Sequence, residues 1–473
     1  DPQACTLTCH WHNWKFDLRS GEALVGQDPV RTYPPRIEDG QVMVEISPPD
    51  PQLAQQRLMA SLKAGFDERQ YGRITRVLAR MHYQGLDPLS SLRAALLWSY
   101  DRFEFGMGHA TAVAADWAQL YLQADDLVEQ LSALSEALDY LSLESLRQPQ
   151  FAYALGQQPY TPAALLQAIE QEDEASAVQL LRGGLSAGLS ADQLLDVLAQ
   201  AALAHYNDFG HSLIYVAKTR ELLQQLGPEL SEALLLSLVR ALIYATREDL
   251  LPEFRDYAPS AEVLADLSWG TTDQPPALDQ LLGASVKQAL QWVLTQSTHH
   301  RPEAIYQTLL AANAHSLLYY DLRYQQASDG AVGDNIGWLD FTHALTFANA
   351  LRQQAERDPA RWRAGLLQLA AFYGRNTGYL DLSQSVDEWQ VDDESDFWQQ
   401  IRAQIFDHGV GVPIFAAHLL KTARAVQDES PLLPPPLRAF LLAALKRFLQ
   451  SPIKQKHVRR TLKQSLKLVG KDY

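Results

Sequence analysis

Two short segments of the chain place an aspartate and a histidine three positions apart. NDFGHSLIYVA contains Asp208 and His211, and LDFTHALTFANA contains Asp340 and His343. Residues three apart in a helix lie one turn apart on the same face, so each pair could chelate a metal ion. In helical di-metal proteins, carboxylate-x-x-His pairs from two helices meet carboxylates from two others. The pattern predicts a metal or acid/base centre where the two pairs face each other.

Other side chains could complete this centre. His205 lies six residues before His211, and a turn in between could bring it back toward that residue. FEFGMGHATAV and FDHGVGVPIFAAH add Glu104, His109, Asp407, His408 and His418. The expected catalytic residues are His205, His211 and His343, because imidazole can transfer protons near neutral pH. The expected metal ligands of this region are His109, Asp208, His211, Asp340, His343 and His418.

A structural interpretation of the two pairs stays open. Asp208 and Asp340 would then be helix N-caps, His211 and His343 would stand at the third helical position, and the flanking Phe and Leu residues would be ordinary core. The acids are Asp, whereas the helical di-metal pattern uses Glu, and the two pairs lie far apart along the chain. Both interpretations place the histidines at or near helix starts.

A second pattern stands near the beginning of the chain. CHWHNWKFDLRSG places Cys9 three residues before His12 and is followed by the hairpin pattern RIEDGQVMVEI. Residues 1–46 thereby resemble the second half of a Rieske iron–sulfur domain of the oxygenase and ferredoxin type. In such domains two cysteines hold one iron and two histidines hold the other. The resemblance implies that Cys9 and His12 are ligands of a [2Fe-2S] cluster.

This chain supplies only half of that ligand set. Only eight residues precede Cys9, and neither Cys5 nor His10 has a position that could replace the second Cys and His. Two explanations stay open: the protein begins upstream of Asp1, or residues 1–46 are a degenerate remnant that serves as a β-rich docking cap.

The helical part carries a further resemblance. AHYNDFGHSLIYVAKTRELLQQLG, residues 204–227, is similar to a segment of the questin oxidase-like family of flavin-free, all-helical oxidoreductases. This resemblance implies oxidation of an organic substrate near His205 and His211. The iron site of a conventional Rieske oxygenase, Asp-x-x-His-x-x-x-x-His, is not matched, because Val216 stands at the position of its second histidine.

The chain divides into two regions with different predicted secondary structure. Residues 1–46 alternate in polarity and contain Asp39-Gly40, which is typical of a type I′ hairpin turn. Residues 47–52, SPPDPQ, predict a proline-rich linker, and residues 53–473 show the period of helices with capping signals such as Ser190 and Gln193. The predicted fold class is mainly α: a small N-terminal β fragment followed by a large all-α domain that ends in a basic helix.

Composition narrows the functional classes. The chain carries a formal charge of −16, but its last 28 residues contain nine Lys or Arg against one Asp, so the remainder carries −24. Such an acidic body repels phosphate backbones, so no nucleic-acid partner is expected. No apolar run approaches the ~20 residues of a transmembrane segment, and two cysteines fit a reducing cytoplasm. The apolar stripe of the basic tail is expected to pack on the acidic body.

These patterns favour a cytoplasmic Rieske-type iron–sulfur oxidoreductase or electron-transfer protein. A [2Fe-2S] cluster would feed a His/Asp-lined pocket that holds a second iron or another metal ion. The expected partners are an electron-donor protein or reductase and a small organic substrate. The alternative is a non-catalytic helical interaction scaffold with a degenerate Rieske remnant.

Overall fold

The computed structural model of the protein describes residues 3–26, 28–46, 50–145 and 150–471. Short strands occupy the N-terminal part, and helices occupy nearly all of the rest, so the predicted fold class is confirmed. None of the helices in these ranges combines the length and the apolar character that crossing a bilayer requires.

The strands form two small antiparallel sheets. One contains β1 (Thr6–Thr8), β2 (Lys15–Asp17) and β3 (Ala23–Val25) in that order, and the other contains β4 (Pro35–Glu38) and β5 (Gln41–Val44). Glu38 pairs with Gln41, so Asp39 and Gly40 form a two-residue turn with φ values of 51° and 78°. Positive φ at both central positions is the requirement of a type I′ turn, which confirms that prediction.

Twenty α-helices follow in the described residues, joined by loops of different lengths and by 3₁₀ turns. They are α1 (Pro51–Asp67), α2 (Tyr71–Tyr83), α3 (Leu89–Ser99), α4 (His109–Gln123), α5 (Leu127–Glu144), α6 (Pro162–Glu170), α7 (Glu174–Ser186), α8 (Ala191–Leu203), α9 (His211–Leu226), α10 (Ser231–Ile243), α11 (Tyr257–Asp266), α12 (Val286–Ser297), α13 (Pro302–Leu318), α14 (Leu322–Gln326), α15 (Trp338–Arg357), α16 (Trp362–Asn376), α17 (Glu394–Phe406), α18 (Pro413–Glu429), α19 (Pro435–Gln450) and α20 (Val458–Val469).

Local capping signals explain several of these boundaries. The Ser190 hydroxyl accepts from the backbone N–H of Gln193, and the Gln193 side chain accepts from the backbone N–H of Ser190, so the predicted capping box of α8 is confirmed. Of the predicted linker, residues 47–49 lie outside the described residues. The Asp50 side chain caps α1, which begins at Pro51, so the last two residues of that linker belong to the helix.

Four helices, α4, α9, α15 and α18, pack in a closed ring within the helical region. Each contacts the next, and α18 contacts α4. The remaining helices surround this ring, for example α5 outside α4 and α13 and α16 outside α15. The ring interior is lined by small buried side chains, among them Ala112, Ala217, Ala350 and Ala417. Because small residues leave room between the helices, the interior can hold longer polar side chains.

The strand region rests on α2 through a buried carboxylate. Asp28 pairs with Arg76 and lies 3.3 Å from Arg80, both on α2. Arg76 also lies over the Trp14 ring, 5.6 Å from its centroid. The β4–β5 hairpin does not bury its apolar side chains against the helices, since Ile37 is 79% exposed. The contact is therefore electrostatic and aromatic in character.

The C-terminal helix α20 turns its apolar side chains away from the body. Leu462 and Leu466 are 60% and 65% exposed. On the opposite side, Lys463 pairs with Asp329, and the Gln464 side chain donates to the carbonyl of Gly330 at 3.1 Å. The prediction that the apolar stripe packs on the acidic body is therefore wrong for α20, although Leu449 and Ile453, which precede this helix, do pack against the core. The acidic and polar loop before α15 attracts the cationic side of the helix instead.

The orientation of α20 predicts which leucines carry stability. Leu466→Gln should change the free energy of unfolding by no more than about 0.5 kcal/mol, because its side chain is already exposed. Leu441→Ala, at a fully buried position of α19, should cost about 2–5 kcal/mol. Urea denaturation of both variants tests the difference. A large loss in Leu466→Gln would mean that the apolar side of α20 is covered in solution.

Candidate metal centre

Four histidines from four helices meet inside the ring. His109 is the first residue of α4, His211 is the first residue of α9, and His343 and His418 stand in the second turn of α15 and α18. The ring centroids of His109 and His211 lie 4.6 Å apart, those of His211 and His343 4.3 Å, those of His343 and His418 4.9 Å, and those of His418 and His109 5.1 Å. We call these four residues the imidazole cluster.

Ligand nitrogens of three of these side chains are close enough to share one ion. One nitrogen each of His109, His343 and His418 lies within 4.8 Å of the others. The Nε2 atoms of His211 and His109 are 3.0 Å apart, and those of His418 and His343 are 3.1 Å apart. Within the described ranges, this is the one set of three or more His, Cys, Asp or Glu residues with that property.

Backbone carbonyls orient two of the imidazoles. Nδ1 of His418 lies 2.7 Å from the carbonyl oxygen of Ile414, and Nδ1 of His211 contacts the carbonyl oxygen of Asp208. A carbonyl can only accept, so in both residues Nδ1 carries the hydrogen and Nε2 presents a lone pair to the cluster. Metal-binding histidines commonly have their second nitrogen fixed in this way.

The core keeps these imidazoles neutral. Burial lowers the pKa of His211 to about 3, and the neighbouring Lys421 acts in the same direction. Burial also lowers the pKa of His109, His343 and His418 well below the ordinary value, with Lys421 again contributing. An imidazolium would lose its hydration here, which is the dominant cause. Neutral imidazoles are the form that can ligate a metal.

A strained turn delivers His211 to the cluster. Asp208, Phe209 and Gly210 take φ values of 46°, 48° and 74° in succession, so the chain enters α9 abruptly at His211. A side chain at Gly210 would place its Cβ 2.6 Å from the Phe347 ring, so only glycine fits there. Left-handed conformations at non-glycine residues cost on the order of 1–3 kcal/mol each and concentrate at functional sites.

The N-terminus of α4 is held by a carboxyl group from α5. An oxygen of Glu144 accepts the backbone N–H of Ala110 at 3.1 Å, next to His109. Burial raises the pKa of Glu144 above its ordinary value, while the hydrogen bonds from Ala110 and Tyr140 oppose that shift. Glu144 therefore anchors the helix start from which His109 projects.

The two predicted aspartates do not enter the cluster. Asp208 lies 3.7 Å from Nδ1 of His211, on the side of that ring away from His109, and burial raises the pKa of Asp208 to about 6. Asp340 accepts the backbone N–H of Gly337 at 2.8 Å and pairs with Arg375 at 3.2 Å. The prediction of Asp340 as a metal ligand is therefore corrected: it stabilises the start of α15, and the two Asp-His pairs meet through their histidines alone.

The predicted return of His205 toward His211 is also wrong. His205 Nε2 lies 2.7 Å from Glu170, and Nδ1 lies 3.2 Å from Asp249, so carboxylates outside the ring hold both nitrogens. His205 lines a surface cleft of about 370 Å³ together with Asn207. His408 contacts Glu136 at 3.2 Å, and Glu104 and Asp407 are exposed. None of these side chains belongs to the imidazole cluster.

Cys9 and His12 do not belong to a group of three or more possible metal ligands in the described residues. Cys9 is half-buried just after β1, and His12 is exposed, with its ring 5.9 Å from that of Trp14. The part of the chain that the structure describes gathers no third and fourth ligand around this pair. A complete [2Fe-2S] cluster does not fit the residues present here.

Below the imidazole cluster lies a second polar layer that sequence patterns did not single out. Lys421 follows His418 by one turn of α18, and burial lowers the pKa of Lys421 to about 7. Asp116 follows His109 by two turns of α4, is 1% exposed and accepts from Lys218 at 2.8 Å. The sequence contained one signal for this layer: Asp116 stands two turns after His109 on an otherwise apolar face of α4.

Lys421 should make the stability of the fold depend on pH between about 7 and 10. An unfolded lysine titrates near pH 10.4, so the unfolded chain binds the additional proton over this range and the folded state gains stability as the pH rises. The slope for one group is at most about 1.4 kcal/mol per pH unit. Lys421→Met should remove it, as measured by urea unfolding at several pH values.

The exposed Lys287 supplies the matched control for this measurement. Lys287→Met should keep the slope of the unmodified protein, because the Lys287 side chain is 74% exposed. Equal slopes for the unmodified protein and Lys421→Met would contradict the assignment.

Comparisons with known proteins give no further guidance. A scan against protein-family models, a search of curated proteins and a search of solved structures each found no match to the chain. The function is therefore inferred from the site itself.

Proposed function

We propose that this protein is a metal-dependent oxidoreductase whose imidazole cluster holds one transition-metal ion. The observation that carries the proposal is the convergence of His109, His343 and His418 with ligand nitrogens within 4.8 Å of one another. Three imidazoles form an all-nitrogen donor set, which suits iron, copper, zinc or nickel and disfavours magnesium and calcium. Iron is the metal proposed, because the proposed oxidoreductase role requires a redox-active ion, which zinc is not.

The fourth imidazole gives the site a neutral hydrogen-bond acceptor. Three protein ligands leave a coordination position for water, as in catalytic metal sites. The hydrogen bond to the carbonyl of Asp208 keeps Nδ1 of His211 protonated, so the lone pair on Nε2 faces the interior of the ring. The bound ion would supply electron exchange. Because burial lowers the pKa of His211 to about 3, this imidazole would stay neutral and would orient a molecule at the open position by accepting a hydrogen bond.

The N-terminal region supports the redox part of the proposal. Its resemblance to half of a Rieske domain associates the chain with electron transfer, and the proposed partner is an electron-donor protein or reductase. Two cysteines in 473 residues favour a reducing compartment, so the cytoplasm is the proposed location. Cys9 and His12 are not needed for the helical metal site.

A small organic molecule is the proposed substrate class. The cleft of about 370 Å³ beside His205 has the size of a small-molecule site. Asn207 lines the cleft and begins the turn that ends at His211. Substrate bound there would contact the same loop that positions the imidazole of His211.

Metal binding should depend on the imidazole cluster and on no other histidine. Purified protein should bind one Co²⁺ per chain, seen as visible d–d absorption. His343→Ala and His418→Gln should each lower the affinity by about 100-fold or more, because they remove a ligand, and outer-shell changes alone cost about 10–100-fold.

Three variants control for non-specific effects on metal binding. His315→Ala changes a buried histidine of α13 outside the cluster, and His205→Ala changes the histidine of the cleft. Both should bind Co²⁺ like the unmodified protein, and so should a Cys9→Ser/His12→Ala double variant. Binding that survives loss of His343 and His418 would refute the metal site, and absence of binding would favour the scaffold alternative.

A redox role makes a separate prediction. Protein loaded anaerobically with Fe²⁺ should be oxidised to Fe³⁺ by ferricyanide and reduced again by dithionite, with a high-spin ferric signal in electron paramagnetic resonance. His418→Gln should lose this signal with the iron. Tight binding of Zn²⁺ together with failure to retain iron in either oxidation state would contradict an oxidoreductase and leave a structural metal site.

A further inference from the structure

The C-terminal helix α20 presents a continuous apolar face to the solvent. Side chains at intervals of four, four and three residues lie on one face of this helix, and they are Val458, Leu462, Leu466 and Val469. Each of them is more than half exposed. Single exposed apolar residues are ordinary on a protein surface, but a contiguous patch of them commonly marks a binding surface. We call these four residues the outer stripe.

Polar contacts on the opposite side hold α20 against the body. Nη1 of Arg460 donates to the carbonyl of Tyr324 at 3.4 Å. One turn later, the Gln464 side chain donates to the carbonyl of Gly330 at 3.1 Å and to the side-chain oxygen of Asn335 at 3.0 Å. These contacts use none of the outer stripe. The helix can therefore stay docked on its own chain while the stripe meets another surface.

A row of cations borders the outer stripe along one edge. Arg459, Lys463 and Lys467 each follow a stripe residue by one position, and α20 contains no Asp or Glu. Arg459 and Lys467 are exposed, while Lys463 pairs with Asp329. We call these three residues the basic row. An apolar face bordered by Lys and Arg is the pattern of helices that lie in the plane of a membrane surface.

The same helix is poorly suited to binding a second copy of itself through the outer stripe. Two α20 helices packed in this way would offer each other no carboxylate, and their like charges would repel. The stripe also points away from the body, so a protein partner would find no adjacent wall of this chain to pack against. A lipid surface needs no such wall, and anionic headgroups complement the basic row.

The charge distribution of the chain directs this contact to its C-terminal end. The last 28 residues contain nine Lys or Arg against one Asp, and the remainder carries −24. Each Lys or Arg near an anionic membrane strengthens binding about fivefold. Charges more than about 8–10 Å from the membrane are largely screened at physiological ionic strength. Because the outer stripe points outward, α20 can touch a membrane while most of the acidic body stays beyond that distance.

We propose that α20 binds an anionic lipid surface. The outer stripe enters the boundary between headgroups and acyl chains, and the basic row contacts the headgroups. Such binding is peripheral and reversible, because the helix lies in the plane of the interface. The inference is independent of the proposed metal site, since α20 contributes no residue to the imidazole cluster.

Cosedimentation of the full chain with lipid vesicles tests this proposal. The protein should bind vesicles made of equal parts of phosphatidylcholine and phosphatidylserine. It should bind vesicles of phosphatidylcholine alone at least about tenfold more weakly, because the attraction of the basic row is then lost. Raising the ionic strength should also weaken binding to the anionic vesicles, because salt screens that attraction.

A double variant tests the apolar part of the surface. Leu462→Gln/Leu466→Gln should weaken binding to the anionic vesicles by about tenfold or more, because two apolar side chains no longer leave water. The matched control is Leu155→Gln/Leu382→Gln, which changes two exposed leucines outside α20. This control should bind like the unmodified protein.

A second double variant tests the basic row. Arg459→Glu/Lys467→Glu should weaken binding by about 25-fold or more, because it removes two cations that each contribute about fivefold. The matched control is Arg255→Glu/Lys287→Glu, which changes the net charge by the same amount at two exposed positions outside α20. Circular dichroism and urea unfolding establish that each variant is folded.

The outcomes separate a lipid surface from other occupants. Binding to anionic vesicles that only the two α20 variants lose would support the proposal. Equal binding by the unmodified protein and Leu462→Gln/Leu466→Gln, or no binding to anionic vesicles, would overturn it. Sedimentation equilibrium without lipid provides a further test. A dimer that Leu462→Gln/Leu466→Gln dissociates would show that a second copy covers the outer stripe, and would also overturn the proposal.

Discussion

The carbonyl oxygens of Asp208 and Ile414 fix the direction in which two imidazoles face, and the rest of the site depends on that constraint. Each carbonyl accepts from Nδ1, so the lone pairs on Nε2 of His211 and His418 point at the other two histidines. The helix starts are arranged to meet this geometry. Three consecutive positive φ values precede His211, and Glu144 holds the turn of α4 that begins with His109.

This arrangement places polar side chains in the interior of a fold that is otherwise stabilised by apolar contacts. Four imidazoles, two lysines and a carboxylate lie inside a ring whose remaining lining is mostly alanine, with Val113, Ile214, Tyr215, Thr346 and Asn349. Burying such groups opposes folding unless each finds a partner, and replacing them by apolar residues often stabilises a protein. Their presence here, with small side chains leaving space between the helices, is more readily explained by function than by stability.

The sequence predicted the fold class, the Asp39-Gly40 turn and the capping box at Ser190, because each depends on neighbours within a few positions. It also predicted four histidines that the structure brings together. The sequence could not predict that Asp340 forms an ion pair outside the cluster, because its partner Arg375 belongs to a different helix, α16. His205 likewise meets Asp249 and Glu170, which come from other segments of the fold.

The orientation of α20 and the burial of Lys421 also could not be predicted from the sequence, because both depend on contacts with distant segments of the chain. An amphipathic pattern identifies two faces of a helix but does not tell which one meets the body, and the acidic loop at Asp329 decides this in favour of the cations. Lys421 stands among apolar residues like many solvated lysines. Its burial follows only from the fold, in which helices from four parts of the chain surround it.

The four histidines are spread from residue 109 to residue 418, so no contiguous half of the polypeptide contains the cluster. Loop closure over such separations comes late in folding, since the entropy of the intervening chain opposes early contact. An ion captured by this ring would thus be enclosed as synthesis and collapse finish, and its later exchange would require the bundle to open transiently. The rate at which the folded protein takes up or releases an ion would then be set by this opening.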